Sequence, residues 1–349
     1  MDIKEIQYEK YTKVYMSTNN WECDHHDIQK YIMKNDMDVL YSIVYTDENG
    51  HFSIKDTVLV KKYMRPVMFL NGQDVDGVNE VNGVLIIGII NKKEKVNILK
   101  VMYDGQLIGT KLTTDNNEEM YIVGLYSKEQ TFVKEMDEVY NKIQLIAKEN
   151  GFLINDIYRT YFYLRHLLKD YQDFNESRDA FFEKNQINSK SYPASTCIMG
   201  NSVFGESVIS AFFFSKLKYD IMNTNKQCEA ADYNKRFSRG VIIQDEKILR
   251  GYISGTASID KNGKTLYINQ IEKQIEHTIQ CVIELLKNRQ MSIEDIVCCN
   301  IYLKEDNKSV LEHVFKKLKI LRFPYMCMRA DVCRDDLLVE IDLIAERKI

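Results

Sequence analysis

A thiol, a guanidinium and a carboxyl fall within one short stretch near the C-terminus: Cys333, Arg334 and Glu340. Each has a chemical reading and a bland one. Glu340 sits in Leu337–Ala345, where Leu337, Val339, Ile341, Leu343 and Ala345 alternate with Leu338, Glu340, Asp342 and Ile344, the period of a strand. Buried there, its carboxyl would hold its proton near neutral pH and could act as an acid. Facing water beside Asp342, it would be an ordinary solvated carboxylate. Cys333 is either a reactive thiol or a small buried hydrophobe. Arg334 is either a carboxylate ligand or a surface charge. Arg159 and Arg239 lie in or beside apolar strands, where an unpaired guanidinium is costly, so each implies an internal ion pair or a bound anion. Arg178, after Asn175-Glu176-Ser177, could simply belong to a helix start.

Other candidates fall away. Cys23-Asp24-His25-His26 has metal-binding atoms but no second cluster at zinc-finger spacing. Asp74-x-Asp76-Gly77 lacks the closing glutamate of a calcium loop and reads as a turn. The sequence has no G-x-G-x-x-G, Walker loop or G-x-S-x-G, so no nucleotide cofactor or serine nucleophile is expected. The Lys316-Lys317-x-Lys319 run reads as the solvated face of a helix. No metal and no cofactor are expected.

The elements that must position these residues repeat. Ile154, Asp156, Ile157, Tyr163 and Leu164 recur at one constant offset as Ile293, Asp295, Ile296, Tyr302 and Leu303. Each set follows an amphipathic helix. The first stripe is Phe132, Met136, Val139, Tyr140, Ile143, Ile146 and Ala147; the second is Ile275, Ile279, Val282, Ile283 and Leu286. Tyr121-Ile122-Val123-Gly124 parallels Tyr252-Ile253-Ser254-Gly255, and Tyr192-Pro193 parallels Phe323-Pro324. Two of only three prolines thus mark the same corner. Each copy reads strand, strand, long helix, strand, second helix, paired strands. The class is α+β, with helices packed on one face of a mixed sheet.

The expected division is residues 1–217 as a first domain carrying extra N-terminal strands, 218–235 as a linker, and 236–349 as a second domain. The extra strands are read at Val39–Thr46, Thr57–Lys61, Val84–Ile90 and Lys95–Tyr103, with turns at Asn49-Gly50 and Asn71-Gly72. Two domains suit a 349-residue chain. At 45% hydrophobic and 28% charged residues the composition is globular, and a net charge of −4 argues against a nucleic-acid surface. No apolar run reaches membrane length, and the eight cysteines lack paired spacing, so a cytoplasmic protein with reduced thiols is expected.

The pattern of helix, G-x-x-x-x-D-I-x-x-x-x-x-Y-L, helix, F-P and terminal V-E-I-x-x-I-A strand resembles the RidA/YjgF family, most fully from Arg239 to Ile349. Two tandem copies resemble the chorismatases in particular. That narrower likeness rests on Tyr158-Arg159-Thr160-Tyr161, Tyr171-x-x-Phe174-Asn175-x-x-Arg178 and Tyr192-Pro193-Ala194-Ser195-Thr196. It continues through Phe237-Ser238-Arg239, Ile253 to Ser258, and Ala330-Asp331-Val332-Cys333-Arg334. Where the pattern has Gly-Ile-Gly-Gly after Thr196, this chain has Cys197-Ile198-Met199-Gly200.

The resemblance implies conversion of chorismate to 3-hydroxybenzoate and pyruvate, begun by protonation of the enolpyruvyl group. It implies Glu340 as the acid and Cys333 as the product-determining thiol, provided that its pKa is lowered. Arg334, Arg159, Arg239, Arg178, Tyr171, Thr196, Gly255 and Ala257 are implied substrate contacts. The alternatives are hydrolysis of chorismate to a dihydroxycyclohexadiene carboxylate, a RidA-like imine deaminase, and a non-catalytic binding module. The expected partner is a small molecule rather than nucleic acid or membrane. By analogy the chain is a trimer, or a monomer if the tandem copies satisfy those contacts internally.

Overall fold

The computed structural model describes residues 1–46, 62, 65–71, 81–91, 96–202, 206–233, 235–245, 247–320 and 323–349. The strand read at 57–61, the turns at Asn49-Gly50 and Gly72, and the acidic loop at 74–77 lie outside them.

Three six-stranded sheets are present among the described residues; five strands of each share one order, and the sixth lies at the opposite edge in the first sheet. The first is built from β1 (Asp2–Gln7), β2 (Tyr11–Thr18), β3 (Met37–Thr46), β4 (Val67–Asn71) and β5 (Val81–Asn91), with helix α1 (Trp21–Lys34) after β2. The second uses β6 (Asn97–Tyr103), β7 (Gln106–Thr113), β8 (Glu118–Tyr126), β9 (Ile157–Leu164), β10 (Ala194–Met199) and β12 (Val208–Ser215), with α2 (Phe132–Glu149) and α3 (Leu167–Lys184). The short β11 (Asn201–Ser202) crosses to pair with β4 of the first sheet. The third uses β13 (Tyr219–Met222), β14 (Gly240–Asp245), β15 (Ile248–Ala257), β16 (Ile296–Leu303), β17 (Tyr325–Arg329) and β18 (Val339–Lys348), with α4 (Ile271–Lys287) and α5 (Lys308–Lys317).

In each sheet an antiparallel hairpin (β1-β2, β7-β8, β14-β15) is followed by the last strand of the unit (β5, β12, β18). The middle strand comes next (β3, β9, β16), then a parallel partner (β4, β10, β17). The α+β class and the mixed sheets are as read from the sequence, but the extra N-terminal strands are not an appendage. They build a sheet of their own, with the order of the other two. All three prolines, Pro66, Pro193 and Pro324, directly precede the parallel strands β4, β10 and β17. The 218–235 segment is likewise more than a connection, because Tyr219–Met222 pairs with β14 as a strand of the third sheet.

The helices pack on the outer faces, where Met136, Val139, Ile143 and Ile146 of α2 and Ile275, Ile279, Val282 and Leu286 of α4 are buried as their stripes require. The inner faces meet in one central core. Tyr15, Tyr121 and Tyr252 hold equivalent places on β2, β8 and β15, and two residues before them stand Lys13, Glu119 and Arg250. These charges are buried and paired: Arg250 with Glu119 and, at 3.2 Å, with Asp245, and Lys13 with Glu346 at 3.3 Å. A second set of tyrosines lies opposite the last strand of each unit. Tyr45 faces Gly83, Tyr163 faces Ile209 and Tyr302 faces Glu340. The Tyr163 and Tyr302 hydroxyls are 2.9 Å apart, with Tyr45 beside both.

Candidate active site

The second and third sheets meet where β10 runs beside β15, and the seam opens into a cleft. Ser195 and Cys197 come from β10, and Tyr171 and Arg178 from α3. Gly255 and Ala257 belong to β15 and Glu340 to β18. Lys235, Phe237 and Arg239 come from the chain leading into β14, and Cys333, Arg334 and Leu337 from the turn before β18.

Glu340 is the only carboxyl among the described residues lining this cleft. β18 lies between β15 and β16, so Glu340 has Ala257 on one side and Tyr302 on the other and is 6% exposed. Burial pushes its carboxyl up to about 8, and the neighbouring Asp342 adds to the rise; Arg239 and Arg159 oppose it without winning. A group at that value is mostly protonated at neutral pH. Gly255 makes room for it: a Cβ there would stand 1.8 Å from Glu340 Oε1 and 2.9 Å from its carboxyl carbon. The glycine is required by the close approach of the acid, not by backbone conformation.

Around this neutral acid stand four basic side chains. The Arg239 Nε and Nη2 donate to the Cys228 carbonyl at 3.0 and 2.9 Å, which fixes the guanidinium plane. Arg334 Nη1 donates to the Gly263 carbonyl at 2.5 Å. Arg178 Nη2 donates to Asn175 Oδ1 at 2.6 Å, one turn back along α3. The Lys235 ammonium stands 4.9 Å from the centre of the Tyr171 ring.

Cys333 is not the thiolate that the sequence reading required. Burial pushes its thiol up to about 12, and Glu340 reinforces this; Arg334, a hydrogen bond with Tyr171 and Arg239 fall short of reversing it. At neutral pH it is a neutral S–H group. Its neighbour in the cleft, Cys197, is also raised by burial, with Arg178 opposing. Met199 N donates to the Asp331 carbonyl at 2.9 Å, which lays β10 against the segment carrying Cys333.

Of the expected contacts, Glu340, Cys333, Arg334, Arg239, Arg178, Tyr171, Gly255 and Ala257 come together, whereas Arg159 and Thr196 stand one layer behind. Arg159 is buried, and the internal ion pair left open by the sequence is the one it makes. Its Nη2 lies 3.1 Å from Asp342 Oδ1 and donates to Thr196 Oγ1 at 2.7 Å, and Nη1 donates to the Ile253 carbonyl at 3.0 Å. Thr196 Oγ1 also accepts the Gly255 N–H at 3.0 Å, so Arg159 and Thr196 position β15 beneath the acid. Lys235 and Phe237 went unnamed as site residues. Phe237 stood within a quoted motif, but Lys235 fell in the polar, Asn- and Lys-rich stretch read as a linker.

The Endoribonuclease L-PSP family matches residues 229–347. Among solved structures, a chorismatase superposes on 97% of this chain and 100% of its own, with a TM-score of 0.69 at 16% sequence identity. A putative endoribonuclease L-PSP from Entamoeba histolytica and a putative endoribonuclease from Thermotoga maritima each cover 37% of this chain and 98% of their own at 18% identity, with TM-scores of 0.32 and 0.31. Across nearly its whole length the chain is similar in fold to a chorismatase, and its C-terminal third is similar to the L-PSP family.

Proposed function

We propose that the protein cleaves the enolpyruvyl ether of chorismate, releasing pyruvate and forming 3-hydroxybenzoate. One observation carries this reading: a carboxyl held near pH 8 by burial faces a cleft lined by four basic groups. A vinyl ether is cleaved by protonating its methylene carbon, which needs an acid still carrying its proton; the ring carbon–oxygen bond then breaks with the ether oxygen leaving as the keto oxygen of pyruvate, the adjacent ring hydroxyl shifts to the vacated carbon, and the ring proton lost on aromatisation restores the acid. Chorismate is a dianion, and the cationic lining suits it without neutralising Glu340 by ion pairing. Formation of 3-hydroxybenzoate and pyruvate consumes no water, whereas the hydrolytic outcome adds one. In this reading Cys333 acts as a neutral thiol, directing the ring intermediate by donating or returning a proton, not by forming a covalent bond as a thiolate.

The test is incubation of purified protein with chorismate, with products resolved by mass spectrometry. Stoichiometric pyruvate and 3-hydroxybenzoate are expected. Untouched chorismate would overturn the activity, and a dihydroxycyclohexadiene carboxylate would overturn the product assignment alone. A product ratio unchanged in Cys333→Ala would remove the thiol from that role.

A further inference from the structure

The connection between hairpin and first helix runs through residues 258–270 in the third unit, against 127–131 in the second and 19–20 in the first. The added length forms an ordered loop. Ile259 bridges Thr265, and Leu266 N donates to the Ser258 carbonyl at 2.9 Å. The Asp260 carboxylate accepts from the Asn262 and Lys264 N–H groups at 2.8 and 2.9 Å, around a turn in which Gly263 takes a φ of +75°.

This loop is fastened to the turn that carries Cys333 and leads to Glu340. The Gly263 carbonyl accepts from Arg334, and Thr265 Oγ1 donates to Asp336 Oδ1 at 2.9 Å. Gln274, fully buried in the first turn of α4, joins the two segments. Its Oε1 accepts the Leu338 N–H at 2.9 Å, and its Nε2 donates to the Asp336 and Tyr267 carbonyls at 2.9 and 3.3 Å. Glu135 holds the same place in α2 and grips Ser207 just before β12. A carboxylate can only accept, whereas the Gln274 amide accepts from the strand and donates to the loop at once.

Ile259 of the loop and Leu337 of the turn are buried and line the cleft with Cys333 and Glu340, giving it an apolar wall. Protonation of the enolpyruvyl group leaves a cation with two fates, each releasing pyruvate. Rearrangement to 3-hydroxybenzoate consumes no water, whereas capture adds one and leaves the dihydroxycyclohexadiene carboxylate. What separates them is whether water reaches the cation. We propose that the 258–266 loop, clamped to the turn by Gln274 and Thr265, keeps water from this side of the cleft and so decides between the two products. The partition rests on the reaction proposed above; the clamp does not.

Thr265→Val and Gln274→Met remove the fastenings without adding charge, and Thr265→Ser keeps the hydroxyl. Amide hydrogen exchange, followed by mass spectrometry, is expected to quicken about fivefold across 333–340 in the first two, the weight of one hydrogen bond in a local opening. Thr265→Ser is expected to match wild type. Unchanged exchange across β9 shows that the fold is kept, and Thr265→Val decides the matter if Gln274→Met does not fold. With chorismate, the dihydroxycyclohexadiene carboxylate is expected to rise about fivefold as a share of product in Thr265→Val and Gln274→Met, and to return to the wild-type level in Thr265→Ser. Unchanged exchange across 333–340 overturns the clamp. Turnover with an unchanged product ratio, or a wild type that itself releases mainly the water adduct, overturns the partition and leaves pyruvate release standing. Untouched chorismate overturns the reaction and the partition with it, while the exchange result still decides the clamp.

Discussion

Glu340 owes its proton to where it sits. Its carboxyl is raised from 4.5 to about 8, so the neutral form predominates below that value and the charged form above it. If it is the acid, kcat/KM for pyruvate release is expected to fall as pH rises through about 8, and a profile flat from pH 6 to 9 would exclude it. Stability follows the same sign. A group whose folded-state pKa is raised contributes stability below its unfolded pKa, and that contribution is lost as pH rises between 4.5 and about 8. Glu340→Gln is therefore expected to abolish pyruvate release and to flatten the alkaline decline in melting temperature relative to wild type. Gly255→Ala places a Cβ on the carboxyl; displacing an acid by about an ångström is expected to lower kcat by on the order of 10²-fold. A fully active Gly255→Ala enzyme would show that the carboxyl need not stand there. The type and place of this residue were legible in the sequence only through the family likeness. Alternation alone left its face unassigned, because burial of the Glu340–Asp342 face comes from a neighbouring sheet that no local pattern records.

At the scale of elements, β10, β15 and β18 are locked by a buried polar set behind the cleft. Asp342 accepts from Arg159, Tyr161, Asn300 and Tyr302 at 3.0–3.2 Å, while Arg159 bonds onward to Thr196 and to the backbone of β15. Removing either partner strands the other in a dry interior. Arg159→Ala and Asp342→Ala are each expected to cost about 3–5 kcal/mol in denaturant unfolding, with the double variant costing well under their sum. Strict additivity would mean that the pair is not coupled. The sequence announced this set only as two apolar strands each carrying a charge, and left ion pair and ligand contact equally open. The long helices were plain because their stripes are periodic. The role of 218–235 was hidden for the opposite reason: its single short strand, Tyr219–Met222, is too brief for periodicity to reveal.

The whole molecule is three units of one strand order around a shared core, and the seams between them are unequal. Where the third sheet meets the first, Met326 Cε occupies the place a Cβ of Gly83 would take, 2.1 Å from it; where the first meets the second, the Val67 and Met68 backbone lies against Gly124. Only the seam between second and third carries a carboxyl opposite its tyrosine. Titration with 3-(carboxymethoxy)benzoate, an unreactive dianion with a ring carboxylate and an ether-linked one, is accordingly expected to saturate at one ligand per chain, and a stoichiometry near three would refute the inequality of the seams. No helix among the described residues is long and apolar enough to cross a membrane. The first, N-terminal unit escaped detection in the sequence because, apart from isolated matches, topology rather than side-chain identity is what it shares with the other two. Pro66 and Tyr15 were present, but nothing in composition ties them to their counterparts.

Covalent joining of the three units has a consequence for how the molecule can vary. In an assembly of identical subunits each substitution is installed three times, so an acid placed at one seam is placed at all, with the burial cost of its neutral or charged form incurred each time. Here Tyr45, Tyr163 and Tyr302 keep the common scaffold, while the residue opposite is free to be glycine, isoleucine or glutamate. The chain can therefore place an acid in one cleft and keep glycine or isoleucine at the corresponding positions of the other two units, so that the cost of burying a carboxyl at this position is borne once.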